Sequence, residues 1–291
     1  MGSIVGRLFY RPNLSVRMLI GCFFMLSTMH AHAHAGAHDE SGQPLVFGIV
    51  PQQSSAKLIR DWSPVMKAIS TLSGLKIRFA TAPNIPEFEK RLSEGKYDIA
   101  YMNPYHFTVF NQTPGYKAVA HAKDKRIKGI LVVRKGSPVK TLEDLAGKDL
   151  AFPAPAAFAA TLLTQAALKS NGVHFNPKYV GSHDSAYLGV ADGLYEAGGG
   201  IIRTLGAAPP NAKDNLRVLY TTEGFTPHAI ATHPNVTEDE RRRLQEALVA
   251  LSDTPEKQQV LKALNIKGFQ SATDEDWDDV RALSISVIKA D

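Results

Sequence analysis

Apolar positions in this chain alternate between two spacings. From Pro44 to Val50 they form one compact run, the pattern of a buried strand, and Pro51-Gln52-Gln53-Ser54-Ser55 supplies the loop after it. Leu58, Trp62, Met66, Ile69 and Leu72 then recur at intervals of three and four, which predicts a helix capped by Ser54 or Ser55 and stopped by Gly74. Lys76 to Ala80 reads as a second strand, with Ile77 and Phe79 alternating against charged neighbours. Pro83 to Gly95 reads as a helix with Ile85, Phe88 and Leu92 on one face, and a third strand follows at Asp98 to Met102. Strands and helices in this order imply a parallel sheet with crossover helices.

Two more strands, Lys117 to Ala122 and Gly129 to Arg134, precede a short helix capped by Thr141 with Asp144 three residues on. The pattern then restarts. Strand Asp149 to Phe152, helix Phe158 to Asn171, strand Lys178 to Gly181, helix Ser185 to Gly193 and strand Gly198 to Ile202 form a second series of similar size. Strands at Val218 to Thr222 and Ala229 to Thr232 and helices at Glu238 to Leu251, Pro255 to Leu264 and Glu275 to Ile288 close the chain. The expected fold is α/β, with two Rossmann-like lobes and a ligand cleft between them. Lobe 1 comprises 36–133 and 226–291 and lobe 2 comprises 134–225, the chain crossing near Arg134 and again near Phe225.

The first 35 residues do not share this pattern. Arg7, Arg11 and Arg17 precede an apolar run from Met18 to Met29, and Ala31-His32-Ala33-His34-Ala35 sets small residues at alternate positions, the plan of a secretory signal peptide cleaved after Ala33 or Ala35. Its loss takes three arginines and no acids from a chain of 33 Lys and Arg against 28 Asp and Glu, so net charge falls from +5 to +2. The one remaining like-charge run, Arg241-Arg242-Arg243, reads as a solvated helix face, and no nucleic-acid partner is expected. Cys22, the sole cysteine, sits inside an apolar run that continues past it, so no lipid anchor is expected there. His30, His32, His34 and His38 could chelate a metal, but cleavage removes at least the first two. The expected product is a periplasmic monomer without metal or cofactor.

Candidate chemistry gathers in Asp98-Ile99-Ala100-Tyr101-Met102-Asn103-Pro104-Tyr105-His106-Phe107. Tyr101, Tyr105 and His106 bring hydroxyl and imidazole groups, Asn103 brings an amide, and Pro104 suits the first turn of a helix, where no N–H donor is needed. α/β folds hold ligands beyond the carboxyl ends of their strands, and free N–H groups at a helix start favour a small anion. A tyrosine-rich strand end buried against a neighbour would carry the same sequence, so this segment alone leaves both readings open.

Several segments together carry a resemblance: Gly48-Ile49-Val50-Pro51, the Asp98 to Pro104 turn, Thr141-Leu142-Glu143-Asp144-Leu145-Ala146-Gly147, Gly181-Ser182-His183-Asp184, and Leu188 to Gly193 ahead of a glycine-rich strand. Over essentially the whole mature chain they resemble the phosphate, phosphite and phosphonate branch of the periplasmic solute-binding proteins. The resemblance implies the type II periplasmic binding fold, a small oxyanion or phosphonate-like ligand closed between lobes, and delivery to an ABC permease without catalysis. Carried over residue by residue, it implies ligand contacts from Tyr101, Asn103, Tyr105 and His183, with Gln52 in the first loop and Asp184 capping the next helix. A structural role for His183, tying its loop to a strand, is the alternative.

Two departures bear on the ligand. Phosphonate binders carry a Ser/Thr-rich turn where this chain reads Phe152-Pro153-Ala154-Pro155-Ala156-Ala157-Phe158-Ala159-Ala160-Thr161. Methyl groups replace hydroxyl donors, and each hydrogen bond left unmade to a buried oxygen costs about 1–3 kcal/mol. Arg203 follows the Gly198-Gly199-Gly200 strand, where relatives that hold an aminophosphonate tend to have an acid. An arginine facing the cleft would repel an amine and could bind an anion bidentately; otherwise it points to solvent. An alternative function on the same fold is a ligand-binding sensor subunit for a membrane histidine kinase. An enzyme on this fold is disfavoured, because the mature chain has no cysteine and no serine with a histidine and acid arranged around it.

Overall fold

The computed structural model describes residues 43–288. The segment read as a signal peptide, Cys22 and the four histidines from His30 to His38 lie outside the described residues. Strand β1 (Leu45–Ile49) leads into helix α1 (Ser55–Ser73), where the Ser54 hydroxyl accepts from the Lys57 N–H and Gly74 ends the helix in the left-handed conformation at φ 70°. Leu58, Trp62, Met66 and Ile69 are buried, as their spacing requires, whereas Leu72 at the end of the same series is exposed. Next come β2 (Ile77–Ala80), α2 (Ile85–Ser93), β3 (Ile99–Met102), α3 (Pro104–Phe110) and β4 (Lys117–Ala122). Each of these elements was legible from its periodicity.

Beyond β4 the chain builds a second sheet: β5 (Ile127–Arg134), β6 (Asp149–Phe152), a π-helical turn over Phe158–Leu163 that runs into α4 (Thr164–Ser170), β7 (Asn176–Tyr179), α5 (His183–Ala191), β8 (Ala197–Gly200), the short helices α6 (Ile202–Gly206) and α7 (Pro210–Lys213), and β9 (Leu216–Phe225). It returns through β10 (Ala229–Thr232), α8 (Glu238–Ala250), α9 (Pro255–Gln258), β11 (Phe269–Ser271) and α10 (Asp278–Arg281). The first sheet has the order β11-β4-β10-β3-β1-β2 and the second β7-β6-β8-β5-β9. Both are mixed. β1, β2 and β3 are mutually parallel, whereas β10 runs antiparallel to β3 and to β4, and β5 runs antiparallel to β8 and β9.

Several expectations need correcting. β5 pairs with β8 and β9, so the strand expected to close the first lobe lies in the second sheet, and the chain leaves the first sheet within residues 123–126 rather than near Arg134. The reason is local: Lys123-Asp124-Lys125-Arg126 is a charged turn with Asp124 at φ 53°, and the apolar run beyond it needs a buried sheet on which to lie. The Ser182 hydroxyl, not Asp184, caps α5 by accepting from the Ser185 N–H at 3.1 Å, which leaves Asp184 in the first turn. The short segment after Thr141 is a 3-10 turn, and the Asp144 carboxylate accepts from the N–H groups of Lys140 and Thr141 at 2.8 and 3.0 Å. Helix α10 stops at Arg281, seven residues before the expected Ile288 end, and Ser284 then takes φ 50°.

The glycine-rich strand β8 has a packing reason. A Cβ on Gly199 would stand 1.9 Å from the Ala160 carbonyl oxygen, and one on Gly129 of β5 would stand 2.1 Å from the Ala159 oxygen. The backbone of the alanine-rich turn therefore lies directly on the second sheet at two hydrogen-only positions. Ala154, Ala156, Ala157, Phe158, Ala159 and Ala160 are each no more than 4% exposed, and they join the same apolar cluster as Phe47, Trp62 and Tyr101 of the first sheet. Phe158 meets Phe225 edge-on at 5.7 Å. Burying one such aromatic side chain stabilises by roughly 1.5–3 kcal/mol, so this turn is apolar because it joins the two halves. Gly199→Ala is expected to destabilise the protein by about 1–3 kcal/mol through overpacking, read as a lowered urea midpoint at unchanged m-value.

Candidate functional site

Four carboxyl-terminal strand ends converge on one small cavity. Gln52 follows β1, Asn103 follows β3, the alanine-rich turn follows β6 and Ile201 follows β8, and together with His183 and His228 these line a space of about 10 Å³. That is room for about one water. The Asn103 amide is fully used: its oxygen accepts from the His106 N–H at 2.8 Å to cap α3, and its Nδ2 donates to the Ala156 carbonyl at 3.0 Å. The second bond crosses from the first sheet to the second, as does the bond from the His183 N–H to the Gln52 carbonyl at 3.2 Å. The peptide whose Ala159 oxygen rests on Gly129 turns the Ala160 N–H away from the sheet, and among the described residues the N–H groups of Phe158, Ala159 and Ala160 find no acceptor.

A polar chain runs beside this cavity. An Arg203 guanidinium nitrogen donates to Gln52 Oε1, which leaves Gln52 Nε2 facing His228 Nε2 at 3.0 Å. An amide nitrogen can only donate, so His228 Nε2 is the acceptor and the proton of the neutral ring sits on Nδ1. Burial, then the Arg203 charge, drives the His228 pKa well below the ordinary histidine value. The ring stacks on Tyr101, centroids 4.9 Å apart at 15°, and Tyr101 in turn packs against Trp62 at 4.7 Å. Burial also pushes the Tyr101 phenol up, partly opposed by Arg203.

His183 holds this chain from behind. Its Nδ1 lies 3.1 Å from Thr204 Oγ1, which lies 2.7 Å from the Tyr187 hydroxyl, and both hydroxyls reach the Ile201 carbonyl at 3.1 Å. The start of α6, and with it Arg203, is thereby fixed to α5. Burial followed by the Arg203 charge lowers the His183 pKa to about 3. With both imidazoles neutral, the guanidinium is the fixed positive charge of the cluster.

A second, larger cavity of about 180 Å³ adjoins the first, sharing Ile127, Ile201 and His228 with it. Tyr101, Arg203, Pro227 and Ile266 add to its wall, and Lys125, Arg126 and Lys128 from the crossing segment stand at its edge. Among the described residues, no aspartate or glutamate lines either cavity.

Of the residues expected in the site, Gln52, Tyr101, Asn103, His183 and Arg203 come together, and Tyr105 does not. Its hydroxyl accepts the N–H groups of Val287 and Ile288, each at 2.8 Å, so it anchors the C-terminal segment. Two residues further along β3–α3 the side chain projects from the opposite side of the turn that Asn103 occupies. His106 also faces inward, completely buried with Nε2 2.9 Å from the Glu89 carboxylate. His228 escaped the sequence reading. Its one available signal was position, in Phe225-Thr226-Pro227-His228 where the chain returns to the first sheet.

Comparison with known proteins follows this geometry. The family described as "ABC transporter, phosphonate, periplasmic substrate-binding protein" matches residues 47–277. The chain belongs to this family. It is 25% identical to the phosphonates-binding periplasmic protein of Escherichia coli, covering 90% of this chain and 81% of that protein. It is also 23% identical to the phosphate-import protein PhnD of Mycolicibacterium smegmatis over 54% of each chain. Among solved structures, the binding-protein component of an ABC phosphonate transporter from Pseudomonas aeruginosa superposes with a TM-score of 0.76 at 19% identity, covering 83% of this chain and 86% of that one. PhnD1 of Prochlorococcus marinus, in complex with methylphosphonate, gives 0.75 at 18% identity over 84% and 97%. The fold is that of type II periplasmic binding proteins, and the function of this family member is to capture a solute and deliver it to an ABC permease.

The His183 environment generates a pH prediction. In the unfolded chain the ring takes a proton below about pH 6.5, and in the folded protein only near pH 3, so the unfolded state binds more protons in that window and stability falls as pH drops through it. His183→Gln is expected to flatten the fall by up to about 1.4 kcal/mol per pH unit, read from urea unfolding across the window.

Proposed function

We propose that the solute is a small anion without an amine, gripped by Arg203 with Tyr101 and His228, while Gln52, Asn103 and His183 hold those groups in place. The observation that carries this reading is the guanidinium itself. Arg203 is half-buried, its charge acts on Tyr101 and on two neutral histidines, and among the described residues its hydrogen-bond partner is the Gln52 amide oxygen rather than a carboxylate. Burying an unpaired cation is costly, and an anionic ligand offsets that cost. The same charge opposes an ammonium group.

The wider reading is that residues 1–35 are a signal peptide removed on export, that the mature protein works in the periplasm, and that it releases the bound anion unchanged. With Cys22 gone the mature chain has no thiol nucleophile, and the two site histidines are held neutral, with His183 Nδ1 facing Thr204 Oγ1 and His228 Nε2 facing the Gln52 amide.

A thermal-shift screen of the processed protein against phosphate, phosphite, sulfate and amine-free phosphonates tests this. A bound anion at about a hundred times its Kd should add roughly 2.7 kcal/mol of stability. Arg203→Ala should abolish the shift, and Tyr101→Phe should weaken binding by about 0.5–1.5 kcal/mol. Stabilisation by aminoalkylphosphonates alone, surviving in Arg203→Ala, would overturn the reading.

A further inference from the structure

Two cavities share a wall, and they differ in what they can hold. The inner one, at the alanine-rich turn, has a volume of about 10 Å³ and is closed by three direct bonds between the sheets: Asn103 to Ala156, His183 to Gln52 and Arg203 to Gln52. Its turn is pressed onto Gly129 and Gly199 and buried in the shared apolar cluster, so it cannot retreat to make room without unpacking Phe158 from Phe225. A tetrahedral oxyanion needs several times that space. The outer cavity, at the crossing segments, measures about 180 Å³. An apolar cavity of about 150 Å³ is enough to hold benzene.

Resting on the anion reading above, we infer that the ligand is an organic anion seated in the outer cavity, its charged head on Arg203 and Tyr101 and a carbon body of several atoms along Ile127, Ile201, Ile202 and Pro227. Three features support this seat. Arg203 and Tyr101 line the outer cavity, whereas neither lines the inner one. The wall beyond the head is built of isoleucines and a proline, groups that gain nothing from an inorganic oxyanion but gain from hydrocarbon. Ile202 is 55% exposed although it lies on this wall, which is the large apolar exposure a ligand tail would cover. Lys125 and Lys128 at the edge have no ion-pair partner among the described residues, and Arg126 is engaged by Asp279 at 2.8 Å, so the free charge at the mouth is positive. That sign tolerates a second anionic group on the tail and disfavours an amine there.

Calorimetric titration with inorganic phosphate, methylphosphonate and the straight-chain alkylphosphonates from ethyl to pentyl tests the seat. Affinity is expected to rise about fourfold for each added methylene until the cavity fills. Ile202→Trp, which places a bulky ring at the mouth, should remove that rise, with its unliganded unfolding temperature serving as the check that it is folded. Equal affinity for phosphate, methylphosphonate and the longer chains would overturn the outer seat while leaving the anion reading intact. Binding of none of them would overturn the anion reading and the seat together. A rise with chain length that persists unchanged in a folded Ile202→Trp would also exclude this wall as the place of the tail.

Discussion

Arg203 is a cation that no carboxylate meets among the described residues. Its hydrogen-bond partner is an amide oxygen, its charge acts on a phenol and two imidazoles, and each of those groups is set by a different part of the fold: Gln52 by the loop after β1, Tyr101 by β3, His183 by α5 and His228 by the return crossing. A positive charge in low dielectric lowers the pKa of neighbouring bases and raises its own appetite for a negative partner. Burial first, and the Arg203 charge second, hold His183 and His228 neutral, and the bond from Arg203 sets Gln52 in one amide orientation. The site is therefore poised as a single fixed charge surrounded by oriented neutral dipoles. That suits binding and release, in which nothing need change protonation.

The apolar turn is the second determinant, and it works against the first. Relatives described as phosphonate binders share this chain's family and fold, yet here the segment after β6 is buried alanine and phenylalanine packed across the two sheets. The Ala159 and Ala160 carbonyls rest on glycines and the free Ala160 N–H faces away from the sheet, so the backbone retains the polarity of a helix start while the alanines contribute none. A turn of this kind stabilises the joined state through dispersion and dehydration rather than through ligand contacts. On the reading proposed above, ligand recognition then rests on Arg203, on the neighbouring strand end.

Most of the individual elements were readable along the chain. Periodicity located α1, α2, α8 and nearly every strand, and the Ser54 cap and the stop at Gly74 stood where their chemistry puts them. What escaped were elements too short to show a period: α6, α7 and β11, each of five residues or fewer. The boundary between the halves also escaped, because β5 is equally apolar whichever sheet it joins. Tyr105 and Tyr101 are four residues apart and chemically identical, and only the direction each side chain takes separates a cavity-lining residue from an anchor of the C-terminal segment.

The sequence by itself determined the α/β class, the two βαβ series, the family, and the alanine-rich character of the turn after β6, since these depend on local spacing and residue type. Only the tertiary structure decided which strands share a sheet, that His228 stacks on Tyr101, that Asn103 spends both ends of its amide on the protein, and that Arg203 faces a cavity rather than solvent. The reason is range. Caps, turns and periodicity are set by residues within a few positions of one another, whereas the site joins Gln52 to His228 across 176 residues and to Arg203 across 151.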